Sequence, residues 1–104
     1  MFRLDESLIE QLVKKHKEAY EVFYTKTVDV LFRYVKSHYF VDDEVVEDML
    51  SEFYLKFWRV VEKYDNNFKF ESYIRVVFKN VIKDYFRKNR YQYTIESKKL
   101  VLEE

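Results

Sequence analysis

Apolar side chains recur along this chain at steps of three and four residues, the spacing that places them on one face of an α-helix. Leu4, Leu8, Ile9, Leu12 and Val13 mark a short first helix over residues 4 to about 16. Ala19, Tyr20, Phe23, Tyr24, Thr27, Val28, Leu31, Phe32 and Val35 continue the pattern to about residue 39. No glycine, proline or capping residue separates these stretches, so a continuous helix and a kink near His16 and Lys17 both fit. Asp42 or Asp43 then offers a carboxylate to free amides at the start of a third helix running to about residue 63. Its inward positions are Val45, Val46, Met49, Leu50, Phe53, Tyr54, Phe57, Trp58 and Val61. The segment YDNNFK, residues 64–69, reads as a loop because Asp65, Asn66 and Asn67 favour turns. The fourth helix has the most regular stripe: Phe70, Tyr73, Ile74, Val77, Phe78, Val81, Ile82, Tyr85 and Phe86. Beyond Arg90 the periodicity decays, and a loop followed by a short helical or a disordered tail both fit. These elements predict an all-α, compact domain of three to four helices over residues 1–94, with 95–104 as a tail or the start of a linker.

Composition narrows the architecture further. The 104 residues include neither Gly, Pro nor Cys. Tight hairpins and phosphate-cradling loops that depend on glycine are therefore disfavoured, and neither a disulfide framework nor a thiolate metal site is available. Ten Tyr and ten Phe make the core aromatic and should also bring some rings to the surface. No apolar run approaches a membrane span, and no small-residue cleavage pattern follows an apolar segment near the N-terminus, so a cytoplasmic protein without a membrane partner is expected.

A formal net charge of zero conceals a division. Residues 1–74 hold 11 Lys or Arg against 15 Asp or Glu, and residues 75–104 hold 8 against 4. On the third helix Glu44, Asp48 and Glu52 step by four along an outer face. That line is either a solvated surface or a docking face for a basic helix or coiled coil. On the fourth, Arg75, Lys79, Lys83 and Arg87 step by four, with Asn80 beside them and Lys88 and Arg90 extending the charge. Such a row suits phosphates, although solvated helices also carry cations at this spacing. Tyr64, Phe68, Tyr73, Tyr91 and Tyr93 lie in or near the basic region, where rings can stack on unpaired bases. Phe68 also fits a hydrophobic staple across the start of the fourth helix, and Tyr73 also fits the core stripe.

Catalytic chemistry finds no support in these patterns. His16 and His38 form no H-E-x-x-H arrangement and no E-x-x-H pair, and no serine sits in a glycine elbow. No enzyme activity, metal or cofactor is expected.

Three ordered blocks resemble region 2 of bacterial sigma-70-type factors, most closely the extracytoplasmic-function group. AYEVFYTKTVDVLFRY, residues 19–34, is similar to that family's opening helix. EDMLSEFYLKFWR, residues 47–59, resembles its acidic-apolar block ending in an aromatic and Arg. FESYIRVVFKNVIKDYFRKNR, residues 70–90, resembles its F-x-x-W-L…A-x-N-x-x-x-D-x-x-R-x-x-R segment. The resemblance implies a sigma region 2 fold that docks on the clamp helices of the RNA polymerase largest subunit and recognises or stabilises the melted minus-ten element of a promoter. It makes Asp48, Ser51, Glu52 and Lys56 the expected polymerase contacts. It places Asn80, Lys83, Asp84, Arg87 and Lys88 on the DNA-binding helix, to which the basic row adds Arg75, Lys79 and Arg90 as expected DNA contacts, and makes the loop of Tyr64, Asn66, Asn67, Phe68 and Lys69 the expected receiver of a flipped non-template base. Ser51 stands where many relatives have Gln, Tyr73 replaces a frequent Trp, and Lys69 occupies a common Ser cap position, leaving Asn66 or Asn67 as substitutes. Nothing in the chain resembles the helix-turn-helix that reads the minus-thirty-five element. A fragment, a subunit of a split factor with a partner supplying that recognition, and a regulatory relative binding polymerase or an anti-sigma factor are all compatible with this pattern.

Overall fold

The computed structural model describes residues 3–89. Four α-helices follow one another: α1 (Glu6–Val13), α2 (Lys17–His38), α3 (Asp43–Val60) and α4 (Phe70–Lys88). A 3₁₀ turn over Val61–Lys63 closes α3, so the predicted helix to residue 63 tightens in its last turn. The all-α class predicted from periodicity is the observed one. Arg90, Tyr91, Tyr93 and the tail over 95–104 lie outside the described residues.

The break between α1 and α2 resolves the alternatives left by the sequence. Asp5 caps α1 by accepting the Leu8 amide at 2.7 Å. At the other end the Lys15 amide donates to the Leu12 carbonyl at 2.9 Å and the His16 amide to the Gln11 carbonyl at 3.0 Å. This pair of bonds is a Schellman motif, which requires a left-handed residue at the position after the cap. Lys15 occupies it with φ 64°, in a chain that has no glycine to offer. Its ammonium lies 4.9 Å from the Trp58 ring centroid, an attraction that partly offsets the cost of the left-handed backbone.

Helix α3 lies between α2 and α4, while α1 packs across α2 and the 3₁₀ turn. Ala19, Phe23, Thr27, Leu31 and Val35 recur every fourth residue on α2 and are all buried. They meet α3 through stacked rings, Phe23 on Phe57 with centroids 4.3 Å apart. On the other side, Phe53 of α3 meets Phe78 of α4 edge-on at 5.2 Å. The predicted inward positions of α3 are buried except Trp58, which is only half-buried and packs against Tyr20 and the Lys15 ammonium. One polar pair lies inside this apolar wall. The Thr27 hydroxyl donates to the Phe23 carbonyl at 2.8 Å, which leaves its oxygen to accept from the Tyr54 hydroxyl at 2.7 Å. Burial holds the Tyr54 phenol well above the ordinary tyrosine range, so it remains a neutral donor.

Two helix starts differ from the expectations for their caps. Asp42 sits at the N-cap of α3, and its side chain makes no capping bond. Neither Asn66 nor Asn67 substitutes at α4, whose N-cap is Lys69 without a side-chain bond. The Asp65 carboxylate instead accepts the Asn67 amide at 2.9 Å and turns the chain within the loop.

Candidate nucleic-acid and protein-docking faces

The frame of the 64–69 loop comes from aromatic packing. Tyr64, Phe70 and Tyr73 form a ring triad with centroid separations of 5.0, 5.1 and 5.9 Å. Tyr64 donates its hydroxyl to the Phe68 carbonyl, closing the loop on itself. Tyr73 donates to the Val60 carbonyl at 3.1 Å, fastening the first turn of α4 to the end of α3. Both phenols are pushed above their ordinary range, Tyr73 by desolvation and Tyr64 by desolvation together with the carboxylates of Asp65 and Glu71. They therefore act as donors that shape the loop. Phe68 is the ring left outside, 65% exposed. A stapling role would bury it, and the structure leaves it open beside exposed Asn66, Asn67 and Lys69.

Helix α4 buries Phe70, Ile74, Val77, Phe78, Val81, Ile82 and Tyr85. At about 100° per residue the opposite side of the helix carries Ser72, Val76, Lys79, Asn80, Lys83 and Arg87, with Arg75 on one flank. All seven are exposed. Among the described residues the side chains of Arg75, Lys79, Asn80 and Lys83 have no hydrogen bond or ion pair. Arg87 pairs with Asp84 at 3.3 Å one turn back, so the last cation of the row is partly neutralised within its own helix. Lys88, one residue further, turns about 100° away and meets Glu52 of α3 at 3.5 Å.

The acidic line is thus engaged with α4 more than its spacing suggests. Asp48 accepts from the Tyr85 hydroxyl at 3.3 Å, and Glu52 holds Lys88. Glu44 and Ser51 are exposed, and Lys56 is half-buried. Between Asp48 and Ser51 on one side and Arg59 on the other stands Leu55, 70% exposed. Its outward position follows from the wheel, since Leu55 falls opposite the buried face of α3. Next to it a groove of about 510 Å³ separates α2 from α3, lined by Tyr20, Tyr24, Val28, Phe32, Glu47, Leu50, Ser51, Tyr54 and Leu55. Sequence analysis left Leu55 and Val76 outside the inward stripes and gave neither a role; their places opposite the buried faces were available as the signal.

The two histidines lie apart from both faces. His16 is exposed at the start of α2, and His38 completes the C-terminal turn of that helix through Nδ1 and the Tyr34 carbonyl at 2.9 Å. Among the described residues no group of three or more His, Asp or Glu is placed to hold a metal ion. No described helix is long and apolar enough to cross a membrane.

The two faces therefore diverge in character. One combines unpaired cations, an amide and an exposed ring at the start of α4. The other combines carboxylates, a hydroxyl and an exposed leucine on α3. The family model for Sigma-70 region 2 matches residues 23–91. No curated protein and no solved structure matches the chain.

Proposed function

The chain belongs to the sigma-70 region 2 family, and from that membership we propose that it joins core RNA polymerase through the outer face of α3 and engages the non-template strand of a melted minus-ten element through α4 and the 64–69 loop. The family assignment makes it a sigma-factor domain of transcription initiation. The finer reading adds residues to it. Asp48, Ser51, Glu52 and Lys56 meet the polymerase clamp helices; Arg75, Lys79, Lys83 and Arg87 meet phosphates; Asn80 faces bases; and Phe68, with Asn66, Asn67 and Lys69, receives an unstacked base. The polymerase performs the chemistry, and this domain selects and holds the open strand.

The observation that carries this reading is the contrast along α4. Among the described residues its exposed side keeps Lys79, Asn80 and Lys83 free of partners, whereas Lys88 turns toward Glu52 of α3. An unpaired amide between unpaired cations supplies base-edge hydrogen bonding next to phosphate attraction. Phe68 adds a ring at the end of the same surface, where base stacking contributes roughly 1 to 3 kcal/mol.

Co-purification with core RNA polymerase, paired with binding to single-stranded non-template oligonucleotides, tests the proposal. Lys79→Glu and Lys83→Glu are expected to weaken DNA binding and leave polymerase binding unchanged. Asp48→Lys and Glu52→Lys are expected to do the reverse, and Ser51→Arg provides a cleaner variant because Ser51 touches no α4 side chain by hydrogen bond. Equal losses on both assays from a folded variant would refute the division of faces. Polymerase binding with no sequence preference for DNA, even with a minus-thirty-five-binding partner present, would instead indicate a regulatory interaction module.

A further inference from the structure

Helix α4 carries one apolar side chain in the middle of its charged surface. Val76 is 58% exposed, while its neighbour Val77 is 7% exposed and belongs to the core. A single exposed valine is ordinary on a protein surface. This one is distinguished by its company, with Ser72 and Tyr73 one turn before it and Lys79 and Asn80 one turn after it. A β-branched residue gains nothing for the helix at a solvated position, where a straight-chain polar residue has the better propensity. It also gives nothing to phosphate binding.

Resting on the DNA-binding reading of this face, we infer that Val76 is a specificity-determining residue whose exposed methyls contact the C5-methyl of a thymine. The chemistry of the ligand leads to this choice. A strand held by Lys79 and Lys83 through its phosphates presents three apolar surfaces to the helix, base faces, deoxyribose and the thymine methyl, and deoxyribose is common to every nucleotide and carries no sequence. A valine is too small to serve as a stacking platform, and methyl-to-methyl contact is the apolar form of base-edge readout. Asn80 stands one turn away, about 5.4 Å along the axis, within reach of a neighbouring base edge. Its amide supplies the paired donor and acceptor that match adenine. Val76 and Asn80 together thus read one base by shape and the next by hydrogen bonding, while the flanking lysines hold the backbone.

Deoxyuridine differs from thymidine by that methyl alone and gives the test. The tightest single-stranded oligonucleotide selected from a randomised pool by the full chain is resynthesised with each thymine replaced in turn by deoxyuridine, and binding is followed by fluorescence anisotropy. Loss of one buried methyl contact is expected to weaken binding about fourfold at one position. Val76→Ala should remove that difference, and Val76→Ile should retain it. Because Val76 lies outside the core, circular dichroism should report unchanged folding for both variants. The inference is overturned if no thymine responds to the replacement, or if Val76→Ala keeps the full discrimination. The broader reading fails separately, if Lys79→Glu and Lys83→Glu leave oligonucleotide binding unaltered.

Discussion

Removing Lys79, Lys83, Arg87 and Lys88 of α4 one at a time should produce a graded result, because the structure gives them unequal freedom. Each phosphate neutralised on a single strand contributes about 0.7 to the slope of log affinity against log salt. Lys79 and Lys83 have no carboxylate partner among the described residues, so Lys79→Ala and Lys83→Ala should each lower the slope by about 0.7 and the double variant by about 1.4. Between about 50 and 200 mM salt, the wild-type chain should then lose roughly sevenfold more affinity than the double variant. Arg87 already shares its charge with Asp84 at 3.3 Å. That exposed pair is weak, so Arg87→Ala should lower the slope by less than either lysine variant without leaving it unchanged. Lys88 turns away from the row toward Glu52 on α3, in an equally exposed pair at 3.5 Å, so Lys88→Ala should also lower the slope by less than either lysine variant. The measurement is a fluorescence anisotropy titration of a labelled single-stranded oligonucleotide across a salt series, with circular dichroism to establish folding. A slope unchanged in the double variant, or a Lys88→Ala effect equal to that of Lys79→Ala, would refute the assignment of the phosphate face.

Three further outcomes concern the scaffold. Thr27→Val removes the acceptor of the buried Tyr54 hydroxyl and should cost about 1 to 3 kcal/mol in urea unfolding; a second change, Tyr54→Phe, should recover part of that loss, and strict additivity would show that the bond is not what the pair provides. Leu12 is fully buried where α1 meets the body, so Leu12→Ala should cost about 2 to 5 kcal/mol, and a near-zero change would mean that α1 is held elsewhere. Alkaline stability follows from the raised tyrosines. For Tyr20, Tyr54, Tyr64 and Tyr73 the folded pKa exceeds the ordinary value of 10.0, so the unfolded chain loses its protons first. Their contribution is complete below pH 10 and falls as the pH rises above it, and Tyr54→Phe should flatten that decline. Stability constant through that window in the wild-type chain would contradict the burial assigned to these phenols.

The parts of this molecule that were legible before its structure are those where one physical signal dominates. The apolar stripe of α4 places Phe70, Ile74, Val77, Phe78, Val81, Ile82 and Tyr85 inward without competition, and its opposite face follows by subtraction. The stop of α1 was not legible because its usual marker is glycine, and here Lys15 takes the left-handed position with Trp58 as compensation. Lys88 shows a second kind of limit. A row read as steps of four rotates by about 40° per step, and one extra residue adds about 100°, so a cation adjacent in sequence to Arg87 reaches a different neighbour in space. Asp48 and Glu52 show the same limit from the other side, since spacing within α3 reports that they share a face but not that Tyr85 and Lys88 reach across to it. The 64–69 loop combines both difficulties. Turn residues announce its existence, yet its shape depends on Tyr64 and Tyr73 donating to backbone carbonyls at residues 68 and 60, contacts with no periodic signature. Phe68 stays outside the ring triad of Tyr64, Phe70 and Tyr73, although the Tyr64 hydroxyl holds its backbone carbonyl, and its ring is exposed just before α4 begins.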